Sequence, residues 1–211
     1  MCRMLLTIGR FTDLTPFMDF LEQMANEGKG APHHDGFGYV LYTSKEIIAE
    51  RSVEPVRKMS GLYGTTLIAH ARKVSSSTKK LVNTQPFTHG NLSFVHNGTI
   101  AGLAKDGKSD SYSFFRMVLK DLPSAIATVR EMKFTSLNFI ITDGQYAAAY
   151  REVRKDPGYH SLFYKVDEDR FTVSTEEMSG KWYEIVDRTL VVYRNGRVNE
   201  YDARDVFPSV I

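Results

Sequence analysis

The chain has 211 residues, 42% of them hydrophobic and 25% charged, which is enough apolar mass for a sizeable core and too little charge excess for a disordered protein. Its 27 basic and 25 acidic residues are interspersed and leave a formal net charge of +2, which excludes an electrostatic stripe for nucleic acid and fits a small neutral or zwitterionic partner. A single cysteine excludes an internal disulfide, and no apolar run approaches the roughly 18 residues of a membrane span or forms a secretory segment behind Met1, so the sequence reads as one cytoplasmic domain over residues 1–211 with no membrane association.

Runs of branched and aromatic residues bounded by turn formers predict strands at residues 3–7, 38–42, 47–50, 66–72 and 92–96. Between the first two, Leu14, Phe17, Met18, Leu21 and Met24 share a helical face and predict a helix over residues 14–26, stopped by Gly28. The polar stretch 102–109 reads as a loop within the domain. A second helix is expected over residues 110–120, with Phe114, Phe115, Val118 and Leu119 as its apolar face; Pro123 ends it before a third at 124–132, giving a helical hairpin. Strands resume at 137–142, 146–151, 162–166, 171–174, 190–193 and 198–201, with Asp143-Gly144 and Asn195-Gly196 as turn dipeptides. Strands, a helix pair and strands again predict an α+β fold of packed layers.

Cys2 stands directly behind Met1. Removal of Met1, which a small following side chain permits, would expose a thiol and a free α-amine on one residue. On position alone the bland reading is a small packing residue. Four further segments carry polar residues where predicted strands end. They are His33-His34-Asp35-Gly36-Phe37-Gly38, His70-Ala71-Arg72-Lys73-Val74-Ser75, Phe94-Val95-His96-Asn97-Gly98-Thr99-Ile100 and Ser109-Asp110-Ser111. Taken in order with Met1-Cys2-Arg3, they resemble the class II glutamine amidotransferases, N-terminal nucleophile hydrolases, and most of all the small stand-alone type without a fused synthetase. Residues 137–144 and Ser174-Thr175-Glu176 with Trp182 resemble the same proteins more loosely. The resemblance implies a four-layer αββα sandwich with largely antiparallel sheets, no cofactor and no metal. It also implies glutamine or another γ-glutamyl small molecule as substrate, and a separate synthetase or acceptor subunit if ammonia is passed on.

Each segment answers a need of amide hydrolysis. A thiol attacks as thiolate, free cysteine has a pKa of about 8.5, and an α-amine with a reference pKa of about 7.7–8.0 is a base suited to neutral pH. The resemblance implies Cys2 as nucleophile, with the Asn97 side-chain amide and the Gly98 N–H as oxyanion hole. It implies Arg72 for the substrate carboxylate, which arginine's planar fork binds bidentately, and Asp110 for the ammonium. Other readings stay open beside these. Asn97-Gly98 is also a common tight-turn dipeptide, Asp110 follows Ser109 as a helix-start residue, and Arg72 suits a salt bridge. His33-His34-Asp35, His70 and His96 read better as buried hydrogen-bonding groups than as metal ligands, since no metal spacing is present. Tyr112 stands where many such proteins have glutamate, and Gln85 where the stand-alone type usually has histidine. A non-catalytic γ-glutamyl-binding or regulatory domain of the same fold is the alternative from a different class.

Overall fold

The structure is a computed structural model that describes residues 2–74 and 78–203; Met1 and Ser75 lie outside the described residues. In chain order it forms β1 (Arg3–Asp13), α1 (Thr15–Glu27), β2 (Phe37–Tyr42), β3 (Ile47–Ser52), β4 (Tyr63–Ala71), β5 (Phe87–His89) and β6 (Leu92–Asn97). There follow α2 (Asp110–Val118), α3 (Leu122–Arg130), β7 (Asn138–Thr142) and β8 (Tyr146–Arg151). The chain closes with β9 (Phe163–Asp167), β10 (Arg170–Ser174), β11 (Tyr183–Glu184), β12 (Thr189–Arg194) and β13 (Arg197–Asp202).

The strands make two sheets, one ordered β11-β9-β10-β1-β4-β2-β3 and the other β13-β12-β8-β7-β6-β5. All of their described pairings are antiparallel. Alternation decides the layers, because successive side chains of a strand point to opposite faces. On β1, Met4, Leu6 and Ile8 face the second sheet and meet Val95, Ile140, Ala149 and Val191. Leu5 faces the other way and packs with Leu67, Ala69, Leu14 at the entry to α1, and the α1 residues Met18, Leu21 and Met24. The far face of the second sheet, with Phe94, Phe139 and Tyr150, is covered by Phe114, Phe115 and Val118 of α2 and Ile126 and Val129 of α3. The result is helix, sheet, sheet and helix pair, the αββα order expected from the sequence.

The differences are local. Pro123 opens α3 instead of ending α2, because Asp121 caps the helix by accepting from the Ser124 N–H at 2.9 Å and proline is tolerated in a first turn. β1 continues to Asp13 through a register irregularity between Ile8 and Thr12. β5, β11 and a single turn of 3₁₀-helix at Leu81–Asn83 are too short to show a period in sequence. Asn195 and Gly196 both take positive φ between β12 and β13, as a two-residue hairpin requires. At the β7–β8 connection Asp143 instead accepts from the Gln145 and Tyr146 N–H groups, both at 2.9 Å.

Phe94 is wholly buried among Phe115, Phe139 and Phe114, with ring centroids 5.2, 5.6 and 5.9 Å away. Phe94→Ala is expected to destabilise the protein by about 3–5 kcal/mol in urea denaturation; a loss below about 1 kcal/mol would show that this layer is not packed as described.

Candidate active site

The ends of four strands and one helix converge beside Cys2. β1 starts at Arg3, which pairs with Ala71 at the end of β4, so residues 72–74 leave the first sheet next to Cys2. Asp35, just before β2, fastens that departure. Its N–H donates to Arg72 O at 3.0 Å, its carboxylate accepts from the Val74 N–H at 2.8 Å, and the Arg72 N–H donates to Gly36 O at 2.8 Å. Lys73 is thereby placed on the sulfur. Its N–H donates to Cys2 Sγ at 3.4 Å, and the thiol lies 3.5 Å from Lys73 O as donor.

The second sheet contributes the end of β6. Asn97 is fully buried and its Nδ2 donates to Cys2 O at 2.9 Å. Gly98 has φ +145, and a Cβ there would lie 1.9 Å from Ser136 O, so only glycine fits. The tight-turn reading of this dipeptide does not hold, because Asn97 is paired with Asn138 of β7 and the chain runs on to a bridge between Ile100 and Phe134. At the start of α2 the capping role falls to Ser109, whose Oγ accepts from the Tyr112 N–H at 3.2 Å. Asp110 is buried, and its Oδ2 accepts from the Ile100 N–H at 2.7 Å, which ties the helix to the loop after Gly98.

Cys2, Arg72, Gly98 and Asp110 line one cavity of about 30 Å³, with Gln85 and His96 also on its wall. Asn97 meets Cys2 through the backbone carbonyl. A cavity of about 540 Å³ lies at the other end of β1, by Gly9, Arg10, Gly144 and Gly196, and none of the candidate residues lines it.

Burial dominates the electrostatics. It pushes the Cys2 thiol up, against the Lys73 N–H and the charges of Arg72 and Arg3. It pulls Arg72 down, with Cys2, Asp35 and Asp110 opposing, and the Arg72 Nη2 donates to Thr78 O at 3.0 Å. Burial also holds His96 down at about 4, despite Asp110, and His70 well below its ordinary value, so both are neutral at pH 7. His33 is buried, but His34 is exposed, contrary to the buried reading, because adjacent side chains point apart, and its Nε2 bonds Asn26 Oδ1 at 2.7 Å; among the described residues no group of three or more His, Cys, Asp or Glu is arranged to hold a metal.

Three further residues support the site. Gln85 pairs with both backbone groups of His96, accepting from its N–H at 2.6 Å and donating to its O at 3.1 Å, which fixes β6 one residue before Asn97. Ser136 donates to Asn97 O at 2.7 Å and lies 2.9 Å from His160 Nδ1. Burial holds His160 at about 4, so it is neutral, and with its proton on Nδ1 it donates to Ser136 and leaves the hydroxyl proton for Asn97 O. The Asn97–Gly98 peptide is planar, so fixing its carbonyl also fixes the direction of the Gly98 N–H. Gln85 was visible in sequence only as a departure, and Ser136 and His160 gave no signal. Tyr112, the other departure, packs edge-on against Phe87 at 5.3 Å.

No protein-family model matches the chain. It is 23% identical to an uncharacterized protein of Methanocaldococcus jannaschii over 224 residues, an alignment covering 79% of this chain and 62% of that protein, so the chain spans less than two thirds of that relative. A glutamine aminotransferase class-II domain protein from Silicibacter pomeroyi superposes with a TM-score of 0.68 at 18% identity, over 95% of this chain and 99% of its own. The glutamine phosphoribosylpyrophosphate amidotransferase of B. subtilis, solved with ADP and GMP, does so with a TM-score of 0.70 at 14% identity, over 98% of this chain and 50% of its own. At such identities a superposition speaks of architecture, and the chain has the fold of the class II glutamine amidotransferases, an N-terminal nucleophile hydrolase sandwich.

Proposed function

We propose that the protein, once Met1 is removed, hydrolyses the γ-glutamyl amide of glutamine or a related compound through a thioester on Cys2. The observation that carries this reading is that Cys2, Arg72, Gly98 and Asp110, from four separate segments, line one cavity in a class II amidotransferase fold. Since burial raises the thiol, the reaction needs a base at hand, and the α-amine of a processed Cys2 is one. The amine takes the thiol proton, and the thiolate attacks the amide carbon. The oxyanion is met by the second Asn97 Nδ2 hydrogen, the first being spent on Cys2 O, and by the Gly98 N–H. The ammonium returns the proton to the departing nitrogen, releasing ammonia or an amine. Water then attacks the thioester, freeing glutamate and restoring the thiol. Ammonia passes to solvent or to a separate synthetase or acceptor subunit.

On the same reading Arg72 holds the α-carboxylate, and Asp110 holds the α-ammonium with its carboxylate while tied to Ile100. A cavity of about 30 Å³ holds water and not glutamine, so substrate binding displaces part of its wall.

Processed protein is expected to release glutamate from glutamine or from a panel of γ-glutamyl amines, and Cys2→Ala to release none. Equal activity in the variant would remove Cys2 from the mechanism, while binding without turnover in the processed protein would favour the regulatory reading. Arg72→Lys should raise KM at least about tenfold through loss of the bidentate grip; an unchanged KM argues against its carboxylate role.

Ser136→Ala should lower kcat about tenfold or more, with KM within about twofold, because the Gly98 N–H loses its aim while Arg72 keeps the substrate. A matching rise in KM, or a loss of folded protein in thermal melts, would point to a general structural role instead.

The raised thiol gives a pH signature that the single cysteine makes easy to read. Burial favours the neutral thiol, so in protein retaining Met1 the rate of alkylation by iodoacetamide should climb with pH to a midpoint above the reference of about 8.5. A midpoint below that reference would mean that the Arg72 and Arg3 charges outweigh burial.

A further inference from the structure

Arg3 follows Cys2 directly and is the first residue of β1. The Arg3 side chain is wholly buried, with Nε 2.9 Å from Glu176 Oε1. Glu176 is fixed where it stands. The same oxygen accepts from the Lys29 N–H at 2.7 Å, and it lies 2.5 Å from where a Cβ on Gly28 would sit. Among the described residues Nη1 and Nη2 of Arg3 have no hydrogen-bond partner. The Tyr159 ring stands 6.0 Å from Cζ, at the outer limit of a cation–π contact. A buried guanidinium with donors left unmatched is costly, and a planar anion that accepts from two of them relieves that cost.

Arg3 forms part of the wall of a cavity of about 250 Å³, with Lys29, Tyr159, Ser161, Glu176 and Glu177. Two basic and two acidic side chains leave that wall without net charge, which opposes a phosphate or a dianion, so the case for a single carboxylate is made by the unmatched Arg3 donors. The volume suits a group of amino-acid size. Arg3 is the first residue of β1 and Cys2 immediately precedes it, which places this cavity at the same end of the sandwich as the nucleophile.

We propose that this cavity is a subsite for a single carboxylate, and that it takes the carboxylate of the amine released from a γ-glutamyl compound whose amide sits at Cys2. The first half stands on the Arg3 cavity alone; the second rests on the hydrolase reading above. The guanidinium is covered, so ligand entry displaces part of the wall, as it does at Cys2.

Two substrates that differ only in the charge at issue test the second half. Processed protein should cleave γ-glutamylglycine at least about tenfold better in kcat/KM than γ-glutamylglycinamide, and Arg3→Met should bring the ratio close to one. Equal rates on the two substrates in the unmodified sequence, or a preference that survives Arg3→Met, would overturn it, even if glutamine is hydrolysed normally.

Calorimetry on the Cys2→Ala protein tests the first half without chemistry, using N-acetylglycine and N-acetylglycinamide as probes. The acid should bind at least about tenfold more tightly than the amide, and Arg3→Met should abolish the difference. Binding of the acid with no hydrolysis of any γ-glutamyl amide would keep the subsite and remove the hydrolase reading; equal binding of the two probes would remove the subsite. Arg3→Met leaves the Glu176 charge unmatched, so Arg3→Met/Glu176→Gln is run beside it. If neither variant folds, the acid-over-amide comparison in Arg3-containing protein decides.

Discussion

The apolar contact between the two sheets sets the position of everything at the site. Met4, Leu6 and Ile8 of β1 pack on Val95 of β6 and Ile140 of β7, so two strands that share no backbone pairing are held at a fixed separation. One end of β1 carries Cys2 and one end of β6 carries Asn97, and the 2.9 Å bond from the Asn97 amide to Cys2 O spans the gap between sheets. A shift of either sheet by one residue would turn the apolar faces outward and separate this pair together. Core packing and site geometry are therefore one constraint seen from two places.

Around that pair, most polar groups are committed to holding backbone. Asp35 binds the segment that carries Arg72 and Lys73, Gln85 binds His96, Ser136 binds Asn97, and Asp110 binds Ile100. His70 and His96 are buried and neutral, which leaves Arg72 and Asp110 as the charged side chains on the cavity wall other than Lys73. A wall with so few charges, in a place where water is scarce, lets each act over the whole site with little screening. Burial that raises the Cys2 thiol is the other side of the same arrangement.

Much of the architecture was legible because strand alternation and helical spacing are local properties. The residues that alternate on β1 divide between two cores, and the spacing Leu14, Met18, Leu21 does mark the buried face of α1. Pro123 is ambiguous in sequence because a proline can close one helix or open the next, and the Asp121 cap decides which. Within the site, the segments that reach the cavity were legible through the resemblance they carry together. Ser136 and His160 were not, since the serine reaches Asn97 across 39 positions and the histidine across 24 more, and neither separation leaves a trace in local pattern. The same holds for Arg3, whose partner Glu176 is brought to it by the β1–β10 pairing.

The chain contains the Asn-Gly dipeptide twice, and the fold treats the two copies differently. Asparagine before glycine is the pair most prone to spontaneous deamidation, which begins when the glycine nitrogen attacks the asparagine side-chain carbonyl carbon and closes a five-membered imide. Asn195-Gly196 sits exposed at the tip of a hairpin, where backbone freedom and water favour that closure. Asn97 is fully buried with its amide tethered to Cys2, and Gly98 is wedged against Ser136. The chemical ageing of the molecule is thereby directed to a turn that does not line the cavity at Cys2, while the asparagine beside the thiol is protected by the contacts that hold it.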